Sequence, residues 1–229
     1  ETGGVHWQQW QVPSAPGDQG VVPVLLGRVS SGDEDAPLPA VVVLHGTGGR
    51  KEDYQGYMEK LAQRGFLAVG VDTRYHGARG SPETYAAALI AAWRAQGNDE
   101  RPFLFDSVWD LMRVADFLES HPWADAGRIG ATGVSLGGMH SWLWAVADER
   151  VAATAPMIGV QGFRYAVENE AYMARVDSIR PLFEAVSADL KSLINAELVA
   201  SVWRAIAPGL MDEFDAPTSL AAIAPRPVL

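Results

Sequence analysis

The chain has 229 residues, 48% of them hydrophobic and 20% charged, a globular composition long enough for one domain with a substantial core. Its net charge of −10 and pI near 4.9 exclude the basic face of a nucleic-acid-binding protein. The absence of cysteine excludes disulfides, thiolate metal sites and a cysteine nucleophile, and no apolar run reaches the roughly 18 residues of a membrane span. A cytoplasmic or other soluble compartment is the expectation.

Residues 1–4 read as a tag remnant or processed end and are set aside from the fold. Residues 21–29 read as an early edge strand, because Pro23 cannot donate to a ladder. A polar loop occupies 30–39. Residues 40–44, a continuous apolar run with three valines, read as a strand covered on both faces; it runs into His45-Gly46-Thr47-Gly48-Gly49, and a helix follows from about residue 51 to 64. Residues 66–71 are the next strand, ending in Asp72-Thr73-Arg74-Tyr75-His76-Gly77.

Two helical stretches come next. In the second, Phe105, Val108, Trp109, Met112, Ala115 and Leu118 form an apolar stripe at three- and four-residue steps. Residues 128–132 form a short buried strand, followed by Gly133-Val134-Ser135-Leu136-Gly137 and a packed helix over 138–147. Residues 151–158 read as a further strand, 159–224 as helical throughout, and 225–229 as the opening of one more strand. This alternation predicts an α/β protein with a mostly parallel sheet and helices on both faces. It forms a single domain over 1–229, with 159–224 as a helical lid inserted above the carboxyl edge of the sheet.

G-x-S-x-G between a strand and a helix is the context of a nucleophile elbow. The turn is so tight that flanking side chains must be nearly absent. Alone the motif is weak, because a serine can merely fill a turn; together with the H-G-T-G-G turn after an earlier strand it points to Ser135 as a nucleophile. A serine hydroxyl also needs a base, an orienter for that base and donors for the developing oxyanion. The Leu136 N–H supplies one donor. The second is assigned to Thr47, with Gly48 as the alternative.

No histidine presents itself as the base. His45 is a turn residue, His140 reads as packing or capping on the helix after Ser135, His121 lies beside Pro122 at a helix end, and His6 is in the amino-terminal arm. His76, in a loop at the carboxyl edge, reads as shaping or hydrogen-bonding a pocket. The aromatics of 159–224 read mainly as lid core, with Phe163 and Trp203 joining His76 as expected pocket residues. Arg164 fits an anionic substrate group or a surface ion pair equally well. No metal-ligand spacing and no phosphate-binding glycine pattern is present, so no metal or cofactor is expected.

With these residues assembled, the chain resembles an α/β-hydrolase, and more closely a poorly characterised plant and bacterial branch related to dienelactone-hydrolase and prolyl-oligopeptidase-like members. The resemblance rests on residues 44–49, 72–77, 105–110, 133–140, 158–164 and 222–227, and so covers nearly all of the chain from residue 41 on. It implies the chain order serine, acid, histidine, with the last two on loops after the final strands. The sequence stops as the first of those strands begins, so acid and base are expected beyond residue 229. The chain would then be truncated, or cleaved with a second polypeptide segment completing the fold, or not a triad hydrolase. The 229 residues alone are expected to turn over little substrate. The activity implied is a serine hydrolase cleaving a small-molecule ester, thioester or lactone through an acyl-enzyme on Ser135, with no nucleic-acid or membrane partner. The alternatives are a non-hydrolytic ligand-binding or cyclase-like member of the fold, or an acyltransferase using the same cleft.

Overall fold

The computed structural model describes residues 4–29, 36–96 and 100–229; most of the predicted polar loop lies outside the described residues. Six strands form one sheet: β1 (Val5–Pro13), β2 (Val21–Val29), β3 (Leu38–Leu44), β4 (Leu67–Val71), β5 (Ala124–Val134) and β6 (Val151–Met157), in the order β1-β2-β4-β3-β5-β6. β3 to β6 run parallel, while β1 and β2 add an antiparallel hairpin at one side.

β2 corrects the edge-strand expectation: it lies inside the sheet, between β1 and β4. Pro23 is tolerated because it sits where β4 ends. Its carbonyl accepts the Asp72 N–H at 3.2 Å, just past the last paired residues Val24 and Val71, so the missing donor costs only half of a closing pair. The true edge, β1, carries four polar residues in nine and gives no hydrophobic alternation to read. Its Trp7 indole lies across Gly27 of β2, where a Cβ would stand 2.3 Å from the ring.

The two faces of the sheet follow the alternation of β3. Val43, with Leu25 and Ala68, packs against Met58 of α1 (Gln55–Ala62). Ala40, Val42 and Leu44 join the larger core, with Leu111 and Val114 of α3 (Phe105–Ser120) and Met139 and Trp142 of α4 (Leu136–Ala147). α2 (Pro82–Arg94) is started by the Ser81 hydroxyl, which accepts the Thr84 N–H.

After β6 the chain is helical, as the sequence predicts: α5 (Phe163–Glu168), α6 (Met173–Ser178), α7 (Arg180–Leu190), α8 (Ala196–Ile206) and α9 (Ala216–Ser219). Trp203 is its hub, with the rings of Phe103, Phe163 and Phe183 all within 5.6 Å of it between centroids. Buried Asp215 accepts the Phe163 N–H at 2.6 Å and the Arg164 N–H at 3.1 Å, which fixes the start of α5 against α9. The last residues lie alongside β6 in the parallel sense, with Thr154 N–H to the Pro227 carbonyl at 3.1 Å and Leu229 N–H to the Thr154 carbonyl at 3.0 Å. No helix among the described residues is long and apolar enough to cross a membrane.

Candidate active site

Ser135 stands at the junction of β5 and α4 with φ 55° and ψ −109°, a backbone conformation that residues other than glycine seldom adopt. Two anchors hold it there: its N–H donates to the Met157 carbonyl at 2.9 Å, and its carbonyl accepts the Met139 N–H at 2.9 Å. The flanking glycines are sterically required. A Cβ on Gly133 would lie 2.5 Å from the Gly137 backbone, and one on Gly137 would lie 2.3 Å from the Leu44 carbonyl oxygen. α4 is thereby pressed onto the carboxyl end of β3. Gly138 and Gly159 make a second close approach, 2.2 Å for a Cβ on Gly159, which seats the loop after β6 against the same helix.

The loop after β3 runs directly beside the serine, since a Cβ on Gly46 would be 3.8 Å from the Ser135 Cβ. The Gly49 N–H closes a turn onto the Gly46 carbonyl at 3.0 Å. Gly48 takes the third position with φ 77°, the left-handed position that a type II turn reserves for glycine. Thr47 is at the second position and exposed, its N–H outside the closing bond. Leu136 is the first residue of α4, so its N–H has no helical carbonyl behind it.

A buried ionic frame supports these loops. Lys51 Nζ meets Asp72 Oδ2 at 2.6 Å, and the Lys51 N–H donates to Asp72 Oδ1 at 2.8 Å. Burial works against the Lys51 ammonium, but its bonds to Asp72 and Glu52 outweigh that and raise its pKa. Asp110 of α3 receives Arg74 through two 3.1 Å bonds, Arg79 at 2.7 Å and the Ser14 hydroxyl at 2.6 Å. Asp72, Arg74 and Asp110 belong to motifs that the sequence displays, but their pairing only emerges when β4, its following loop and α3 come together.

The histidines are engaged elsewhere than at Ser135, which makes no side-chain capping bond. His45 is fully buried; its Nδ1–H donates to the Gly46 carbonyl at 2.8 Å and its Nε2 accepts the Thr73 N–H at 3.2 Å. It ties the β3 loop to the β4 loop, and burial lowers its pKa. His140 is buried in α4, bonded to the Phe103 carbonyl at 3.0 Å, with its pKa pushed down by burial to about 3. His121 accepts the Trp123 N–H ahead of β5, and His6 packs edge-on against Trp123; both lie away from the elbow, which follows the other end of β5.

His76 is 2% exposed, with Nδ1–H donating to the Arg74 carbonyl at 2.8 Å and its pKa lowered to about 4, chiefly by burial. Its Nε2 has no partner. Its ring lies 5.0 Å from that of His45 and 4.4 Å from Tyr85. Phe163 and Trp203, the other expected pocket residues, are 2% and 1% exposed; their rings are turned into the aromatic cluster, so in this conformation they are core of the helical segment. Arg164 is half exposed and pairs with Asp212. No cluster of metal-binding side chains occurs among the described residues.

Comparison with known proteins agrees with this geometry. The profile of the Dienelactone hydrolase family matches residues 26–200. The uncharacterized protein YcjY of Escherichia coli (strain K12) is 30% identical over 189 residues, 81% of this chain and 55% of that protein. Esterase YjfP of the same organism is 27% identical over 128 residues, 56% of this chain and 48% of that one. Among solved structures, 2,6-dihydroxy-pseudo-oxynicotine hydrolase shares the fold at a TM-score of 0.60 and 19% identity, over 96% of this chain and 51% of that protein. The chain spans about half the length of these relatives. With an α/β sheet of this order, a strained serine at the β5–α4 junction and a profile match over most of its length, the chain belongs to the dienelactone hydrolase family.

Proposed function

We propose that the protein is a serine hydrolase that cleaves an ester, thioester or lactone through an acyl-enzyme on Ser135. The observation that carries this reading is the backbone of Ser135, φ 55° and ψ −109°, held by glycine contacts at a strand–helix junction beside a turn rich in unengaged N–H groups. Strain of this kind is retained where the surroundings over-determine it, commonly at functional sites. Family membership and a relative named as an esterase support the same chemistry.

In this mechanism the Ser135 Oγ attacks the acyl carbon and loses its proton to a general base. The carbonyl oxygen becomes an oxyanion bonded by the Leu136 and Thr47 N–H groups, donors that need no reorganisation as charge develops. Collapse of the tetrahedral species breaks the acyl C–O or C–S bond while the base returns its proton to the leaving oxygen or sulfur. That group departs as alcohol or thiol or, from a lactone, stays tethered to the acyl group; water then repeats the sequence on the acyl-enzyme. The base and its carboxylate are assigned to a histidine and an aspartate beyond residue 229. Two observations support that: no histidine of this chain is bonded to Ser135, and the relatives are about twice as long. Residues 159–224 are assigned the role of a lid over the cleft. A fluorophosphonate probe tests the reading. Labelling of the full chain is expected and should vanish in Ser135→Ala; labelling that persists in the variant would refute it.

A further inference from the structure

The outer edge of β1 is an uncharged strip of unpaired backbone. The strand pairs with β2 alone among the described strands. Its register runs unbroken from Val5 opposite Val29 to Pro13 opposite Val21, with no bulge. The Ser14 N–H donates to the Gly20 carbonyl at 2.7 Å, which sets the phase of the ladder: the even-numbered residues of β1 turn their N–H and C=O toward β2. Pro23 keeps the same phase, since it stands opposite Gln11 and turns its carbonyl the other way, to the Asp72 N–H. The N–H and C=O of Val5, Trp7, Gln9 and Gln11 therefore face outward, where no described strand meets them. The opposite edge, β6, is already met by residues 227–229.

Proteins protect such edges with lysine, an inward-pointing charge, a bulge or a proline within the strand. β1 has none of these. It carries no Asp, Glu, Lys or Arg in a chain of net charge −10, and its proline is the last residue. Two acidic copies can meet here without like charges in the strand. The side chains also suit burial: Trp10 is 41% exposed and ends a row of rings on the α3 side, Trp10–Phe117–His121–Trp123–His6, with successive centroids 5.3–5.5 Å apart. A nine-residue edge runs about 30 Å. With side chains on both faces it offers on the order of 600 Å² per partner, near the roughly 800 Å² of a standard stable interface.

We infer that β1 is a dimer interface: two copies of the chain pair β1 antiparallel to β1 about a two-fold axis through Gln8, joining their sheets into one. Residues opposite each other across a sheet point to the same face, and a two-fold perpendicular to the sheet keeps the faces. Paired positions must therefore differ by an even number, and the outward backbone groups require odd with odd. With Gln8 on the axis, Trp7 pairs with Gln9 and Val5 with Gln11 of the second copy, and each of these residues has an N–H to give. On the α3 face His6 comes opposite Trp10, so the two rows of rings become continuous. A centre on Gln9 would instead bring Pro13, which has no N–H, opposite Val5. β2, β4 and β3 separate β1 from β5, and the axis turns the two carboxyl edges in opposite directions, so both Ser135 elbows stay open.

Sedimentation velocity on the full chain tests this. A dimer is expected at about 100 µM, dissociating on dilution as an interface of this size does. Gln9→Pro removes an outward N–H that β2 does not use. It should weaken the dimer by roughly tenfold or more and, measured dilute, melt within about 2 °C of the parent. Gln8→Pro removes an inward bond and should melt distinctly lower. Charge gives an independent reading. Gln8→Lys and Gln8→Glu each set like charges opposite one another on the axis and should weaken self-association, while an equal mixture of the two should restore the dimer. A full chain that stays monomeric, a dimer whose affinity survives Gln9→Pro, charge variants that mixing does not rescue, or a Gln8→Pro protein as stable as Gln9→Pro would each overturn the proposal. Fluorophosphonate labelling of Ser135 should be equal in all these proteins and judges the serine reading separately.

Discussion

Replacing Ser135 by glycine should stabilise the fold while abolishing the chemistry. Its φ of 55° and ψ of −109° match the first central position of a type II′ turn, where glycine is the default residue. Holding a side-chain-bearing residue there costs on the order of 1–3 kcal/mol. Glycine removes that cost and adds roughly 0.5–1 kcal/mol of chain entropy to the unfolded state. Ser135 is only partly buried and makes no capping bond through its side chain, so losing the hydroxyl itself weighs little. The net is a gain of roughly 0–2.5 kcal/mol, each kcal/mol being worth about 2–4 °C in a domain of this size. Alanine keeps the strain and should leave stability within about 0.5 kcal/mol of the parent. Denaturant midpoints for the serine, alanine and glycine proteins isolate the backbone term. A glycine variant less stable than the alanine variant would refute the strain argument.

Four further outcomes follow from the same geometry. Gly137→Ala places a methyl 2.3 Å from the Leu44 carbonyl oxygen, which should cost about 1–3 kcal/mol and sharply reduce fluorophosphonate labelling as α4 is displaced; a fully labelled, stable variant would contradict it. Asp110→Ala leaves buried Arg79 without a carboxylate and Arg74 with only Asp106 and Glu100 at 3.4 Å, and should cost about 3–5 kcal/mol, read by chemical unfolding. Thr47→Pro removes one proposed oxyanion donor at a turn position that accepts proline and should lower kcat about 100- to 1,000-fold, whereas Thr47→Ala should leave it nearly unchanged. His76 and His140 have folded pKa values lowered to about 4 and about 3, below the unfolded value near 6.5. Stability is thus full above pH 6.5 and is lost as pH falls toward those values, at up to about 1.4 kcal/mol per unit for each ring. His140→Gln should flatten that slope between pH 6.5 and 5, and an unchanged slope would show that His140 is not buried neutral.

The elements legible in the sequence were those whose own residues declare them. The valine run of β3, the stripe of α3 and the glycines around Ser135 each state a local constraint, and the structure gives the reason in close contacts with Leu44 and Gly137. β1 was not legible because an edge strand with glutamines on both faces has no hydrophobic period. From sequence β2 reads as an edge, because the harmless placement of Pro23 depends on where β4 stops, which is a fact of register. The site divides the same way. Ser135 and the turn at Thr47 are local motifs. The sharing of Asp110 by Arg74 and Arg79 depends on the β4 loop and α3 meeting, and no local pattern announces it. The aromatic pair Phe163 and Trp203 carries the reverse lesson: composition marks such residues as useful, but packing against Phe103 and Phe183 turns their faces inward.

The most direct test of the central claim is to trap the covalent intermediate. The full chain mixed briefly with 4-nitrophenyl acetate at mildly acid pH, quenched and digested, should carry one acetyl group on the peptide containing Ser135, and none in Ser135→Ala. An acetyl group on another residue, or turnover of the ester without any acylated Ser135, would contradict the account.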